Sequence, residues 1–262
     1  MKILLIAGHG GTPYDSGAVG CGYTEAVETR RMADAVAPLL RSYGFEVALY
    51  DQSRDAYKVV TQGGSLPLSG VGYVLEFHLN SAANDPKGNG RTTGTEIFVH
   101  TNEQGVGVEQ AILRRVCALG FTNRGIKRSS GLAVLKHVFK RGLSHALIET
   151  CFIDDKDDMA LYGAKFDAIA KAIADGVAEG FGKEIDDMTE AQTREIAKEE
   201  ANKLQPKRYR AVSDMPEYMR ADMQVLIDEK VLTGKGGSEA DKGLDLTEDM
   251  ARMLIMMRRM ID

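Results

Sequence analysis

Short apolar runs alternate with helix-length amphipathic segments as far as about residue 181, and this alternation narrows the choice of fold more than any other feature. Residues 2–7 form an apolar strand that ends in Gly8-His9-Gly10-Gly11. From about 25 to 42, apolar residues recur at helical spacing (Val27, Met32, Ala33, Val36, Leu39, Leu40). Further strands are expected over Phe45–Leu49 after the Gly44 stop, over Gly72–Phe77 and over Thr95–Val99. A helix is expected from about 105 to 119 and a short strand over Leu132–Leu135. A buried strand over Ala146-Leu147-Ile148 then leads into Glu149, and a helix over about 164–181 closes the region. This order predicts an α/β domain, a mostly parallel sheet with helices on both faces.

At Gly182 the character changes. Lys183–Lys203 is dense in Glu, Asp, Lys and Arg with few large apolar residues, which predicts an exposed helical linker; a solvated connector is all that such a run requires. Beyond Pro206, helical patterns near 216–230 and 247–260 flank Gly234-Lys235-Gly236-Gly237 and predict a small helical C-terminal module. Ser213 or Asp214 can cap the first of these helices and Thr247 the second. The expected division is therefore 1–182, a linker over 183–208, and a module over 209–262, and a length of 262 residues suits one good-sized domain with a small companion.

Composition excludes several classes. Hydrophobic residues at 44% and charged residues at 27% belong to a folded globular chain rather than a disordered or fibrous one. A net charge of -5 argues against a nucleic-acid partner, because phosphate binding needs concentrated Lys and Arg. Cys21, Cys117 and Cys151 are too few and too scattered for a disulfide framework, which fits a reducing site of synthesis. No stretch approaches the roughly 18 apolar residues of a membrane span. The apolar run near the N-terminus, about five residues, is short for a signal peptide.

Two histidines carry the first chemical signal. A catalytic zinc site typically takes three nitrogen, sulfur or carboxylate donors and leaves the fourth position to water. His9 follows the first strand and His78 follows the strand ending at Phe77, so both lie where strands of an open α/β sheet end and ligands usually bind. A lone histidine is more often a packed or exposed residue. Two at equivalent strand ends, in loops rich in small or polar residues, bring the metal reading level with that one. A third donor is expected from a carboxylate at the start of the helix after the glycine loop, where Glu25 and Glu28 compete. That loop has no G-K-[ST] and no G-x-G-x-x-G, so a nucleotide cradle is a poor second reading.

Longer motifs resolve the competition. Gly8-His9-Gly10-Gly11, Asp15, Gly17-Ala18-Val19-Gly20 and Gly22-Tyr23-Thr24-Glu25 together resemble the opening of the zinc-dependent N-acetylmuramoyl-L-alanine amidases of the family-3 type, which include many phage endolysins. The likeness continues through Glu76-Phe77-His78-Leu79-Asn80-Ser81-Ala82, the strand Gly94–Val99, Leu132-Ala133-Val134-Leu135, and Ala146-Leu147-Ile148-Glu149-Thr150-Cys151-Phe152-Ile153-Asp154. It spans about residues 2–181 in the family's order. Three positions depart from the pattern: Glu76 stands at a commonly small residue, Cys151 at the usual Gly and Asp154 at the usual Asn.

The resemblance implies one Zn²⁺ held by His9, Glu25 and His78, with Glu28 an ordinary helix-surface carboxylate. It implies Glu149 as general base and then general acid in cutting the amide bond between N-acetylmuramic acid and L-alanine of peptidoglycan. Otherwise a Glu after three apolar residues reads as a structural ion-pair partner. Cys151 beside it has no matched histidine to activate a thiol, so packing is its expected role. His100, His137 and His145, in or beside strands and surface turns, are expected to take no catalytic part.

The partner so implied is bacterial peptidoglycan. The expected setting is synthesis in a host cytoplasm without a signal peptide, followed by action on the cell wall after release, as a phage endolysin. Two other readings compete: an inactive wall-binding protein with the same fold, and a zinc amidohydrolase acting on another amide. The C-terminal module is expected to target the wall or to pair chains into a homo-oligomer. There Met250, Met253, Leu254, Met256, Met257 and Met260 supply either its own core or an interface.

Overall fold

Strand β1 (Lys2–Ala7) is apolar and buried from Ile3 to Ala7, with Lys2 partly exposed at its start. It pairs in parallel with β4 (Glu46–Leu49) on one edge and with β5 (Val71–Asn80) on the other. The structure is a computed structural model that describes residues 1–11, 15–185, 208–229, 231–232 and 242–259. Residues 186–207, most of the expected linker, and the glycine segment 234–237 lie outside the described residues.

From β5 the sheet continues in parallel to β8 (Ser144–Phe152), then turns antiparallel to β6 (Thr95–His100), which pairs in parallel with β7 (Asn123–Ser129) at the edge. The order is β4-β1-β5-β8-β6-β7. Chain order explains the position of the crevice. From β1 the chain passes through α1 (Glu25–Ser42) to β4 on one side, then through α2 (Ala56–Thr61) to β5 on the other. The reversal between β1 and β5 opens a crevice at their C-terminal ends, the usual ligand position in such sheets.

Helices cover both faces, as expected. On one face α1, α3 (Gly107–Cys117), α5 (Lys156–Ala164) and α6 (Phe166–Gly180) enclose Ile3, Leu5, Tyr73, Leu75, Phe77 and Ile148. On the other, α2 and α4 (Ala133–Phe139) cover Leu4, Ile6 and Val74. Full burial of each such aliphatic side chain contributes about 1.5–3 kcal/mol. A two-stranded ribbon of β2 (Val19–Gly20) and β3 (Tyr23–Thr24) leads into α1.

Two local expectations are corrected. Leu132–Leu135 is not a strand: Leu132 is the N-cap of α4, and Val134, Leu135 and Val138 are its buried face. The four-residue window hid a helical period that the next four residues complete. Asn123–Ser129 is an unexpected strand, because an exposed edge position accepts the polar run Asn-Arg-Gly-Ile-Lys-Arg-Ser, which carries no apolar alternation.

Packing divides the chain into two units, Met1–Glu200 and Ala201–Asp262. The second contains the two expected helices, α7 (Glu217–Asp228) and α8 (Glu248–Arg259), and also an antiparallel pair of β9 (Arg208–Ala211) with β10 (Lys242–Thr247). Thr247 Oγ1 accepts from Met250 N at 3.2 Å and caps α8, whereas Asp214 accepts from Arg210 N and Ala211 N and leaves α7 without a side-chain cap. Tyr209, Met215, Met219, Met223, Ala251 and Ile255 lie in this unit's core. Met250, Met253 and Met256 face outward, so they are not core residues.

Candidate active site

The glycine loop after β1 is shaped around imidazoles. A Cβ on Gly8 would stand 2.4 Å from His78 Cε1, and one on Gly17 would stand 2.6 Å from His9 Cδ2 and 2.7 Å from Glu25 Oε2. His9 itself has φ 66, a left-handed conformation that costs a non-glycine residue about 1–3 kcal/mol and persists only where its surroundings enforce it. Helix α1 supplies that enforcement. Thr29 Oγ1 donates to Gly8 O at 3.0 Å, and Arg30 Nη2 donates to His9 O at 3.0 Å and to Gln52 O at 2.7 Å.

Glu25 is the first residue of α1. The helix start is pinned to the loop by Glu25 N donating to Ala18 O and Ala26 N to Ser16 O. Its carboxylate is a hub: Oε2 accepts from Ala18 N at 2.9 Å and lies 3.0 Å from His9 Nε2, while Oε1 accepts from Leu79 N at 3.0 Å and lies 3.0 Å from His78 Nδ1. The third position expected from the resemblance, Glu25 rather than Glu28, is the one that meets both histidines. Glu28 is not a surface carboxylate. It is buried, 5% exposed, and paired with Arg31, because α1 turns this position toward α5 and α6 rather than to solvent.

One ligand atom from each of His9, Glu25 and His78 falls within 4.8 Å of the other two. The remaining ring nitrogens are also held: His9 Nδ1 is 3.1 Å from Asp15 Oδ2, and His78 Nε2 is 3.3 Å from Glu76 Oε1. Carboxylates behind ligating imidazoles fix which nitrogen faces the metal. The donor set therefore fits a divalent metal ion. Burial opposes charge on these groups, but mutual contacts outweigh it. Glu25 is held well below the usual carboxylate range by His78 and His9, and His78 is raised well above the usual histidine value by Glu25 and Glu76.

Glu149 pairs with His78 in the register of β5 and β8, so it stands one strand from the cluster on the same face. Its Oε2 is buried and has no hydrogen-bond partner among the described residues. Burial pushes its carboxyl up to about 7; His78 opposes the rise, and Glu25, Glu96 and Glu76 add to it. A carboxyl poised near neutrality with an unused oxygen can take and return a proton. A cavity of about 290 Å³ opens beside His9 and His78, walled by Ala56, Tyr57, Leu132 and Leu147.

The remaining candidates divide. Burial drives the Cys151 thiol well above its ordinary value, which removes it as a nucleophile. His100 stacks on Phe139 at 3.8 Å, and His137 lies on α4. His145 is buried on β8, 3.1 Å from Glu76 Oε2. Asp15 and Glu76 thus join the site although their positions in the sequence imply no role there, Asp15 standing only in the opening motif and Glu76 only as a departure from the pattern; His145, expected to take no catalytic part, meets Glu76. A second acidic group, Asp85, Asp155 and Asp157, is explained by structure: Asp155 caps α5, and Asp157 Oδ2 accepts from Asn89 N and Gly90 N.

Residues 3–179 match the family described as N-acetylmuramoyl-L-alanine amidase. Among solved structures, the chain is similar to the catalytic domain of the CD27L endolysin targeting Clostridia difficile, with 24% identity over 71% of this chain and 99% of that one, at TM-score 0.57. It is similar to the N-acetylmuramoyl-L-alanine amidase AmiC2 of Nostoc punctiforme, with 20% identity over 69% and 97% of the two chains, at TM-score 0.54. A further likeness is to the amidase Ami1 from Mycobacterium smegmatis, with 16% identity over 70% and 97%, at TM-score 0.55. These likenesses establish the fold. Comparison with curated protein sequences gives no significant match.

Proposed function

The chain belongs to the family-3 N-acetylmuramoyl-L-alanine amidases, and from that premise we propose that it hydrolyses the amide bond between N-acetylmuramic acid and L-alanine in peptidoglycan with one Zn²⁺ held by His9, Glu25 and His78. The observation that carries the reading is the convergence of those three donors at the crevice between β1 and β5, with Glu149 on the next strand. Two imidazoles and one carboxylate with room for a further ligand make a typical catalytic zinc set. When bound, zinc lowers the pKa of a coordinated water to about 7 and polarises the scissile carbonyl.

The chain's own residues account for the rest. Glu25 and the carboxylates of Asp15 and Glu76 orient the two imidazoles. Glu149 takes the proton of the attacking water and returns it to the L-alanine nitrogen as the C–N bond breaks, leaving a lactyl carboxylate and a free peptide amine. The cavity beside the two histidines receives substrate. Among the described residues no helix is long and apolar enough to cross a membrane.

The proposed division is a catalytic domain over 1–182, a linker over 183–208 and a wall-targeting or chain-pairing module over 209–262. A catalytic unit followed by a small second one supports a role as a phage endolysin. Digestion of purified peptidoglycan, followed by mass spectrometry of the new ends, tests the function. Free L-alanine amines and unsubstituted muramic acid are expected, stopped by chelator and restored by zinc. New ends within the peptide or the glycan, or no cleavage at all, would overturn it.

A further inference from the structure

Behind His78 lies a buried chain of contacts that extends away from the metal-facing side. His78 Nδ1 faces Glu25, and its Nε2 donates to Glu76 Oε1 at 3.3 Å. The other oxygen, Glu76 Oε2, is 3.1 Å from His145 Nε2, a close contact without hydrogen-bond alignment. The side chains of Glu76 and His145 are 4% and 1% exposed. They sit on adjacent strands, β5 and β8, with Glu76 opposite Leu147 and His145 opposite Val74 in the register. His145 Nδ1 has no hydrogen-bond partner among the described residues. A carboxylate and an imidazole are thus buried beside the apolar side chains Leu4, Ile6 and Val74, where each is costly unless paired. Glu76 Oε1 is the oxygen that meets His78 Nε2.

We propose that Glu76 and His145 act as a positioning pair for His78. Glu76 fixes the proton on Nε2 and turns Nδ1 toward the metal position, and His145 holds the Glu76 carboxylate in that orientation. A carboxylate behind a ligating histidine sets its tautomer and raises its basicity, and loss of such a partner typically lowers metal affinity about 10- to 100-fold. His9 has its counterpart in Asp15, which lies on a partly exposed loop and hydrogen-bonds Gly17 N. The His78 support is built instead into the sheet, so it does not depend on loop order.

The inference rests on His78 being a metal ligand, and the test separates the two claims. Zinc affinity is measured by chelator competition in the full-length protein, with the visible spectrum of the cobalt-substituted protein as a second readout. His78→Ala is the control: full affinity there would sink the metal site itself, and the pair with it. Glu76→Ala is expected to weaken zinc binding about 100-fold and to alter the cobalt spectrum. Glu76→Gln, equal in size and still offering an acceptor, is expected to recover part of that loss and keeps the test available if the alanine variant does not fold. His145→Ala is expected to weaken binding less than Glu76→Ala does, and to add nothing when combined with it, because both act through one contact. Wild-type affinity and spectrum in a folded Glu76 variant would overturn the proposal, as would additive losses in the double variant.

Discussion

Glu25 meets His9 Nε2 with one carboxylate oxygen and His78 Nδ1 with the other, each at 3.0 Å, so a single carboxylate ties the two imidazoles together. Replacing His9, Glu25 or His78 by alanine is expected to abolish metal retention, measured by elemental analysis after gel filtration. Glu28→Ala is expected to keep the metal and to lower the melting temperature instead, since it removes a buried carboxylate together with its pairing to Arg31. Metal bound to Glu28→Ala but lost from Glu25→Ala is the decisive pair of results. Glu149→Gln is expected to keep the metal and lose about 10²-fold or more in rate. The base works when ionised, and burial raises its pKa to about 7, so kcat/KM falls as pH drops through that limb. A bound cation shifts the limb to lower pH. The limb is expected to vanish in Glu149→Gln, and its persistence there would assign the ionisation to another group.

At the scale of elements, the sheet can carry the site only if α3 and α6 seat closely on its far face. A Cβ on Gly176 would stand 2.5 Å from Ile112 Cα, and one on Gly180 would stand 2.5 Å from Val108 Cα. Those neighbours are backbone and cannot step aside. Ordinarily an alanine stabilises a helix interior by about 1 kcal/mol relative to glycine. Here overpacking is the larger effect, and Gly176→Ala is expected to destabilise by about 1–3 kcal/mol, read from denaturant unfolding. A gain in stability would mean that α6 can move off α3. Beside this interface Tyr43, at the end of α1, donates to Asp175 Oδ1 on α6 at 2.7 Å, and Tyr73 on β5 donates to Glu109 Oε1 on α3 at 2.7 Å, which ties α6 to its neighbouring helix and α3 to the sheet.

For the molecule as a whole, the apolar clusters close within their own units. Every buried member of the second unit's cluster lies between Tyr209 and Ile255, and the first unit's clusters end with Ile185 packed at their edge. A chain ending at Ile185 is therefore expected to fold, hold zinc and cleave solubilised peptidoglycan at close to the full-length rate. It is expected to bind intact walls more weakly or to show a lower mass by light scattering. A folded truncation that cannot cleave soluble fragments would place part of the active site in the C-terminal unit. Ending the chain at Gly182 would remove Lys183, which lies over the Phe45 ring at 5.5 Å, and Ile185.

What the sequence by itself determined is most of the order of strands and helices and the placement of His9 just after β1 and of His78 and Glu149 in the C-terminal parts of β5 and β8, although the expected strands stopped short of the last two. These follow from hydrophobic period and glycine placement, which act over a few neighbouring residues. Its motifs likewise pointed to Glu25, which the local reading left level with Glu28. Only the tertiary structure decided which carboxylates share a space. Glu28 is enclosed because of the helices that pack against α1, and Leu132–Leu135 is helical because Val138 completes an apolar face that α4 buries. Glu76 and His145 are 69 positions apart along the chain, and they meet only because β5 and β8 lie side by side in one register. Such pairings arise from through-space packing, to which no local period of the sequence is sensitive.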